Sequence, residues 1–279
     1  MSYIPLKKTK DRAIILVHGM GSHTAPTSVE ATPSKPAHFK PGSFGQEFID
    51  TSASIMASYE AYQGKSIADF YDIHEINYDV WFDKMRTTMA DNAKMMSDRL
   101  ETLSNTFGTT GIIGLTQRLT SLEAKFKDDK FFYTHWLDVL FYGTMLGRKV
   151  CVAAAAVVAD AITQYDAANV HIIAHSLGTA VIHDTLHALY HEDLNVVTHE
   201  IRSLWMFANV SRLVNTVNRY SDPLGSVVRP GNGGCVSTFF NVRHKLDPFT
   251  WLAQFNPEND DSWTSSLSYN LDYTTSKRT

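Results

Sequence analysis

Residues 169–181 read Asn-Val-His-Ile-Ile-Ala-His-Ser-Leu-Gly-Thr-Ala-Val. An apolar run this short, broken at a serine between small residues and followed by helix-compatible sequence, is read as strand, sharp turn and helix. The turn presents the hydroxyl of Ser176. A serine is a poor nucleophile unless it is held exposed near a base and beside donors for the oxyanion it creates. The pentapeptide Ala174-His175-Ser176-Leu177-Gly178 has the small-x-Ser-x-small pattern of a nucleophile elbow, where strained backbone excludes bulky flanks. The simpler alternative makes Ser176 an ordinary helix N-cap.

A second stretch agrees with the first. The β-branched run Ala13-Ile14-Ile15-Leu16-Val17 leads straight into His18-Gly19-Met20-Gly21, a buried strand ending in a flexible turn. Taken alone, this is also what a plain strand-to-loop turn looks like.

Together the His-Gly-x-Gly loop and the Ala-His-Ser-x-Gly elbow resemble the α/β-hydrolase family, in particular its lipase- and esterase-like members, over roughly residues 12–255. The resemblance implies that the backbone amides of Met20 and Leu177 form the oxyanion hole. It also implies that Asp247, in Phe239-Phe240-Asn241-Val242-Arg243-His244-Lys245-Leu246-Asp247-Pro248, is the triad acid that orients an imidazole. A loop-capping Asp-Pro is the alternative there, and Asp222-Pro223 is a rival acid without a convincing strand before it.

The family order is serine, acid, histidine, and here it breaks, because no histidine follows His244. Residues 261–269 offer only hydroxyls and an indole where the base is expected, and neither accepts a proton at neutral pH. Three readings stay open. A histidine from elsewhere reaches Ser176, with His23 the best placed because it leaves the first strand at the carboxyl edge. The chain stops short of its base. Or the protein is an inactive relative that still binds. His183, seven residues beyond the serine on the same helix, lies about 10 Å along the axis and does not turn back.

Composition sets the outer limits. A chain of 279 residues, 44% apolar and 11% aromatic, is sufficient for one large domain. Its net charge of −4, from 25 basic and 29 acidic residues without a basic stripe, argues against a nucleic-acid partner. The first residues lack the apolar core of a signal peptide, and no apolar run approaches the ~18 residues of a bilayer span. A cytoplasmic protein is therefore expected, with Cys151 and Cys235 as reduced small hydrophobes. No cofactor is expected.

Apolar runs near 12–17, 72–80, 169–174, 201–209 and 236–243 alternate with segments long enough for crossover helices, which predicts a mostly parallel sheet with flanking helices. The stretches 136–142 and 150–162 read as core helix. Residues 22–46, with four prolines, read as a loop that either walls the pocket or stands on the surface. Across about 84–130, Met85, Met89, Met95, Met96, Leu100 and Leu103 share helical spacing, and a glycine-rich break precedes a second amphipathic stretch. This is the pattern of a lid over a hydrophobic site, or of a packed helix pair or a dimer contact. His183, His187 and His191 align at i, i+4, but they lack a ligand from another element, so structural histidines are favoured over a metal site. These features lead to the expectation of a serine hydrolase acting on a lipid-like or otherwise apolar carboxylic ester, or, alternatively, an inactive binding protein of the same fold.

Overall fold

The computed structural model describes residues 6–19, 39, 42–107, 138–192, 199–218, 222–244, 250, 253–257, 263 and 268–273. The chain divides into two compact units, one made of residues 1–19, 23–77 and 142–279, the other of residues 20–22 and 78–141.

The first unit is an α/β layer around a parallel sheet. Its strands are β1 (Ala13–Val17), β2 (Asp72–Ile76), β3 (Val170–His175), β4 (Ser203–Phe207), β5 (Phe239–His244) and β6 (Ser268–Tyr273). They lie in the order β2-β1-β3-β4-β5-β6, and every neighbouring pair is parallel. Parallel pairing requires long crossovers, which put helices on the sheet faces. Helix α1 (Phe44–Met56) packs on β2. The helices that follow β2 and β3, separated from α1 by α2 of the second unit (Asp79–Phe107), are α3 (Gly147–Tyr165) and α4 (Leu177–His187), and both pack on β1 and β3. Helix α5 (Ser211–Asn218) packs on α4.

The strand positions follow from burial. All five residues of β1 are buried, as a central parallel strand requires. In β3 to β5 one face is closed: Val170, Ile172, Ala174, Leu204, Met206, Phe239 and Asn241 are all at 1% exposure or less. The other face carries the row Ile173, Trp205, Phe240 and Tyr269. Ile173, Trp205 and Phe240 are half-buried, and Tyr269 is exposed. The Trp205 and Phe240 rings stack at 3.6 Å and the Phe240 and Tyr269 rings at 5.1 Å.

Several expectations are refined. The run at 72–80 splits: the strand ends at Ile76, and α2 begins at Asp79. Residues 261–269, read as the place of a missing base, instead lead into β6, while buried Trp263 donates its indole N–H to the Leu224 carbonyl at 2.7 Å. Half of β6 is polar, so its sequence carries no continuous apolar signal. The predicted helix at 150–162 lies within α3, preceded by a wide π-type turn at Tyr142–Leu146.

In the second unit, α2 spans Asp79–Phe107, and the glycine-rich break expected after it lies outside the described residues. The buried stripe of α2 is Phe82, Arg86, Ala90 and Ala93, following buried Tyr78. Of the methionines, Met85 and Met89 are half-buried and Met95 is 48% exposed. Arg86 is paired with Asp83 and with buried Asp138. Burial outweighs this pairing for Asp138 and pushes its carboxyl up to about 6. The second amphipathic stretch of the expected insertion lies outside the described residues. Among the described residues no helix is long and apolar enough to cross a membrane.

Glu75 of β2 meets the start of α1, where one carboxylate oxygen accepts from the Gly45 N–H at 3.1 Å and the other is buried without a partner. Burial pushes this carboxyl up to about 7 from an ordinary 4.5, against the opposing Gly45 bond. The folded state therefore holds the proton more tightly than the unfolded one. The resulting stability is complete below about pH 4.5 and is lost as pH rises through about 7. Glu75→Gln is expected to raise unfolding free energy at pH 8 by up to about 3 kcal/mol, with the gain shrinking towards pH 5. Urea titrations of both proteins at the two pH values check this.

Candidate functional site

Ser176 directly follows β3 and precedes α4, with backbone angles φ 51° and ψ −123°. Only three described non-glycine residues have positive φ: Asp166, Ser176 and Ala208. Such backbone costs about 1–3 kcal/mol and persists only where surrounding contacts enforce it. The contacts here are specific. Ser176 N–H donates to the Phe207 carbonyl at 2.9 Å, tying the bend to the end of β4. Thr179 donates both its backbone N–H, at 2.9 Å, and its hydroxyl, at 2.6 Å, to the Ser176 carbonyl. The same hydroxyl accepts from Val210 N–H at 3.0 Å.

The N-cap alternative fails on geometry. An N-cap serine has extended backbone and uses its hydroxyl to satisfy the first turn, whereas the Ser176 hydroxyl makes no capping bond and the backbone is left-handed. The residue is half-buried, so the oxygen is neither sequestered nor capped.

The glycines explain how the helix and the loop come so close. A methyl group at Gly178 would stand 2.4 Å from the His18 carbonyl oxygen and 2.5 Å from that of Val17, so the first turn of α4 rests on the end of β1. A methyl group at Gly19 would stand 2.9 Å from Ser176 Cβ and 2.7 Å from His175 Nδ1. The loop after β1 and the bend after β3 therefore touch. In the strand order, β1 connects outward to β2, and the chain then crosses back to β3 on the other side. Ser176 and Gly19 thus lie where the connections reverse, at the carboxyl ends of the strands, the place where open α/β sheets bind ligands. His18 is buried; its Nδ1–H donates to the Gly19 carbonyl at 2.7 Å, which holds the start of this loop.

Leu177 is buried at the first position of α4, where a backbone N–H has no acceptor within the helix. Met20, His23 and Asp247 lie outside the described residues, so the geometry brings together Ser176, Leu177 and Gly19. The rival acid Asp222 is otherwise engaged: it caps the turn at Pro223–Gly225 through Leu224 N–H at 3.1 Å and pairs with Arg212 at 3.0 Å. Among the described residues no imidazole hydrogen-bonds the Ser176 hydroxyl. His74 bonds Tyr165, His171 bonds Ser203, and His244 closes β5.

A Ser-His-Asp contact away from Ser176 was not foreseen from sequence. His183 meets Ser226 Oγ at 2.9 Å through Nε2 and Asp184 Oδ1 at 3.0 Å through Nδ1. Ser226 is 2% exposed, and its hydroxyl also bonds the Pro223 carbonyl and Val228 N–H, so it is a buried tie between α4 and the 222–228 loop. Asp184 also accepts from the Tyr142 hydroxyl at 2.7 Å. Neighbouring Cys151 has its thiol pushed up to about 12, first by burial and then by Asp184, which makes it a poor nucleophile at neutral pH. His183 stacks on His187 at 6.1 Å, and no group of three or more His, Cys, Asp or Glu that could hold a metal ion occurs among the described residues.

Just past β4, strained Ala208 (φ 48°) leads into Asn209, Val210 and Ser211. Asn209 and Ser211 are each 2% exposed, yet Asn209 Nδ2 and Ser211 Oγ have no hydrogen-bond partner. Each such orphan costs about 1–3 kcal/mol. No local pattern in the sequence marks either residue, nor Thr179, whose bond to Val210 N–H spans 31 residues.

Thr179→Val should destabilise the fold by about 1–3 kcal/mol and release the bend, while Thr179→Ser should retain both; chemical denaturation of the two variants measures this. Gly19→Ala should crowd Ser176 Cβ and His175 Nδ1 and destabilise the fold by about 1–3 kcal/mol, read by the same denaturation. No protein-family model, curated protein or solved structure matches this chain.

Proposed function

We propose that this protein is a serine hydrolase of the α/β-hydrolase type that cleaves a carboxylic ester through an acyl-enzyme on Ser176. The observation that carries this reading is the strained, uncapped, half-exposed serine at the reversal point of the sheet, with the glycine loop after β1 against it. Strain of this kind clusters at catalytic sites, and a free hydroxyl on such a bend matches nucleophilic catalysis.

In the proposed reaction, Ser176 Oγ attacks the ester carbonyl carbon while a histidine accepts its proton. Negative charge collects on the former carbonyl oxygen, where the Leu177 and Met20 amides donate. Collapse expels the alcohol, which takes the proton from the imidazole, and water then releases the acid by the same path in reverse order. Asp247 is the proposed acid that orients the imidazole. His23 is the proposed base, because it follows the loop that abuts Ser176, and the described histidines of the sheet and of α4 with known contacts are bound elsewhere. The two unpaired cysteines fit a reducing, cytoplasmic setting.

The lack of any described imidazole on the Ser176 hydroxyl favours a second reading, a non-catalytic binding protein that keeps the bend. A fluorophosphonate probe separates them. Wild type is expected to label on Ser176 and to hydrolyse short-chain nitrophenyl esters, with Ser176→Ala unlabelled and slower by about 10⁴-fold or more, and with His23→Ala and Asp247→Ala each strongly impaired. A folded wild type that neither labels nor turns over overturns the hydrolase reading in favour of the binder.

A further inference from the structure

We infer that Asn209 and Ser211 form a hydrogen-bonding subsite beside Ser176 that selects esters bearing a hydroxyl group in one arm over plain hydrocarbon esters. This deepens the hydrolase reading and rests on it for the word ester.

The orientation of the Asn209 side chain is settled by its neighbour. Its Oδ1 accepts from Ser211 N–H at 3.0 Å, and a backbone N–H can only donate, so the amide nitrogen is the end left over. That Nδ2 and the Ser211 hydroxyl are both buried and unpartnered. The pair therefore combines a donor that cannot accept and a hydroxyl that does both. A substrate hydroxyl, which accepts one bond and donates another, complements it, whereas an alkyl chain leaves every one of these groups orphaned.

Placement ties the set to the nucleophile. Asn209 lies between two links to the bend: Ser176 N–H to the Phe207 carbonyl, and Val210 N–H to the Thr179 hydroxyl, which itself holds the Ser176 carbonyl. Strands β3 and β4 are parallel neighbours, so their carboxyl ends open on the same sheet edge, where ligands of such sheets bind. Strain at Ala208, as at Ser176, marks this turn as held away from its relaxed form. Buried polar groups built to meet a substrate hydroxyl penalise the analogue lacking it far more than an apolar pocket penalises an extra methylene.

Two measurements test the subsite. Hydrolysis of ethyl butyrate, 2-hydroxyethyl butyrate and ethyl 3-hydroxybutyrate is followed by pH-stat for wild type, Asn209→Leu and Ser211→Ala, with folding checked by thermal melting. Wild type should favour at least one hydroxylated ester over ethyl butyrate by about 10-fold or more in kcat/KM, and the ratio should fall towards one in both variants. Independently of turnover, the Asn209 side-chain amide resonances, assigned by their loss in Asn209→Asp, should shift on adding N-(2-hydroxyethyl)butyramide but not N-ethylbutyramide. An ester ratio near one in wild type, or unchanged in Ser211→Ala, together with resonances indifferent to both amides, overturns the subsite, as would a trapped water that keeps both groups satisfied in the presence of the amide. A selective resonance shift in a protein that fluorophosphonate never labels would keep the subsite and overturn the hydrolase reading instead.

Discussion

Ser176 can hold a left-handed backbone because its N–H is taken by the last carbonyl of β4 and its own carbonyl is held twice by Thr179. Everything distinctive about the site follows from this bracing. It requires β3 and β4 to be parallel neighbours in the observed register. It also requires α4 to start so near β1 that only glycine fits at position 178. A side chain there would push the helix off the strand end and remove the bond geometry that offsets the strain.

Around His183, Ser226, Asp184 and Tyr142 complete bonds that fasten a loop and helices to one another. After β4, Asn209 and Ser211 are as deeply buried but unmatched. A hydroxyl next to a histidine is thus not sufficient for reactivity, since Ser226 has that neighbour and spends its hydrogen bonds on backbone. Ser176 has no such commitments and is half-exposed.

The sheet is unequal in its two faces. One is closed from β3 to β5, with α3 and α4 packed on β1 and β3, while in the aromatic row of the other Trp205 and Phe240 are half-buried and Tyr269 is exposed. Stacked rings in this row provide cross-strand contacts that hold the edge. They compensate for the weak apolar pattern of β6 itself, which is an edge strand among the described residues.

By itself the sequence determined the parallel α/β class and the bend at Ser176, because continuous apolar runs, small residues around a serine and glycine after a strand are local signals with local causes. It also separated the first strand from its glycine loop. Only the tertiary structure decided that β6 joins the sheet, that Tyr78 and Phe82 are buried while Met85 and Met89 are only half-buried, and that Asp222 is a cap paired with Arg212. It alone exposed Thr179, Asn209 and Ser211, whose roles come from partners, or missing partners, far away in the chain. Hydrogen bonding across strands has no period in sequence, so residues that matter through it become visible only when the strands are side by side.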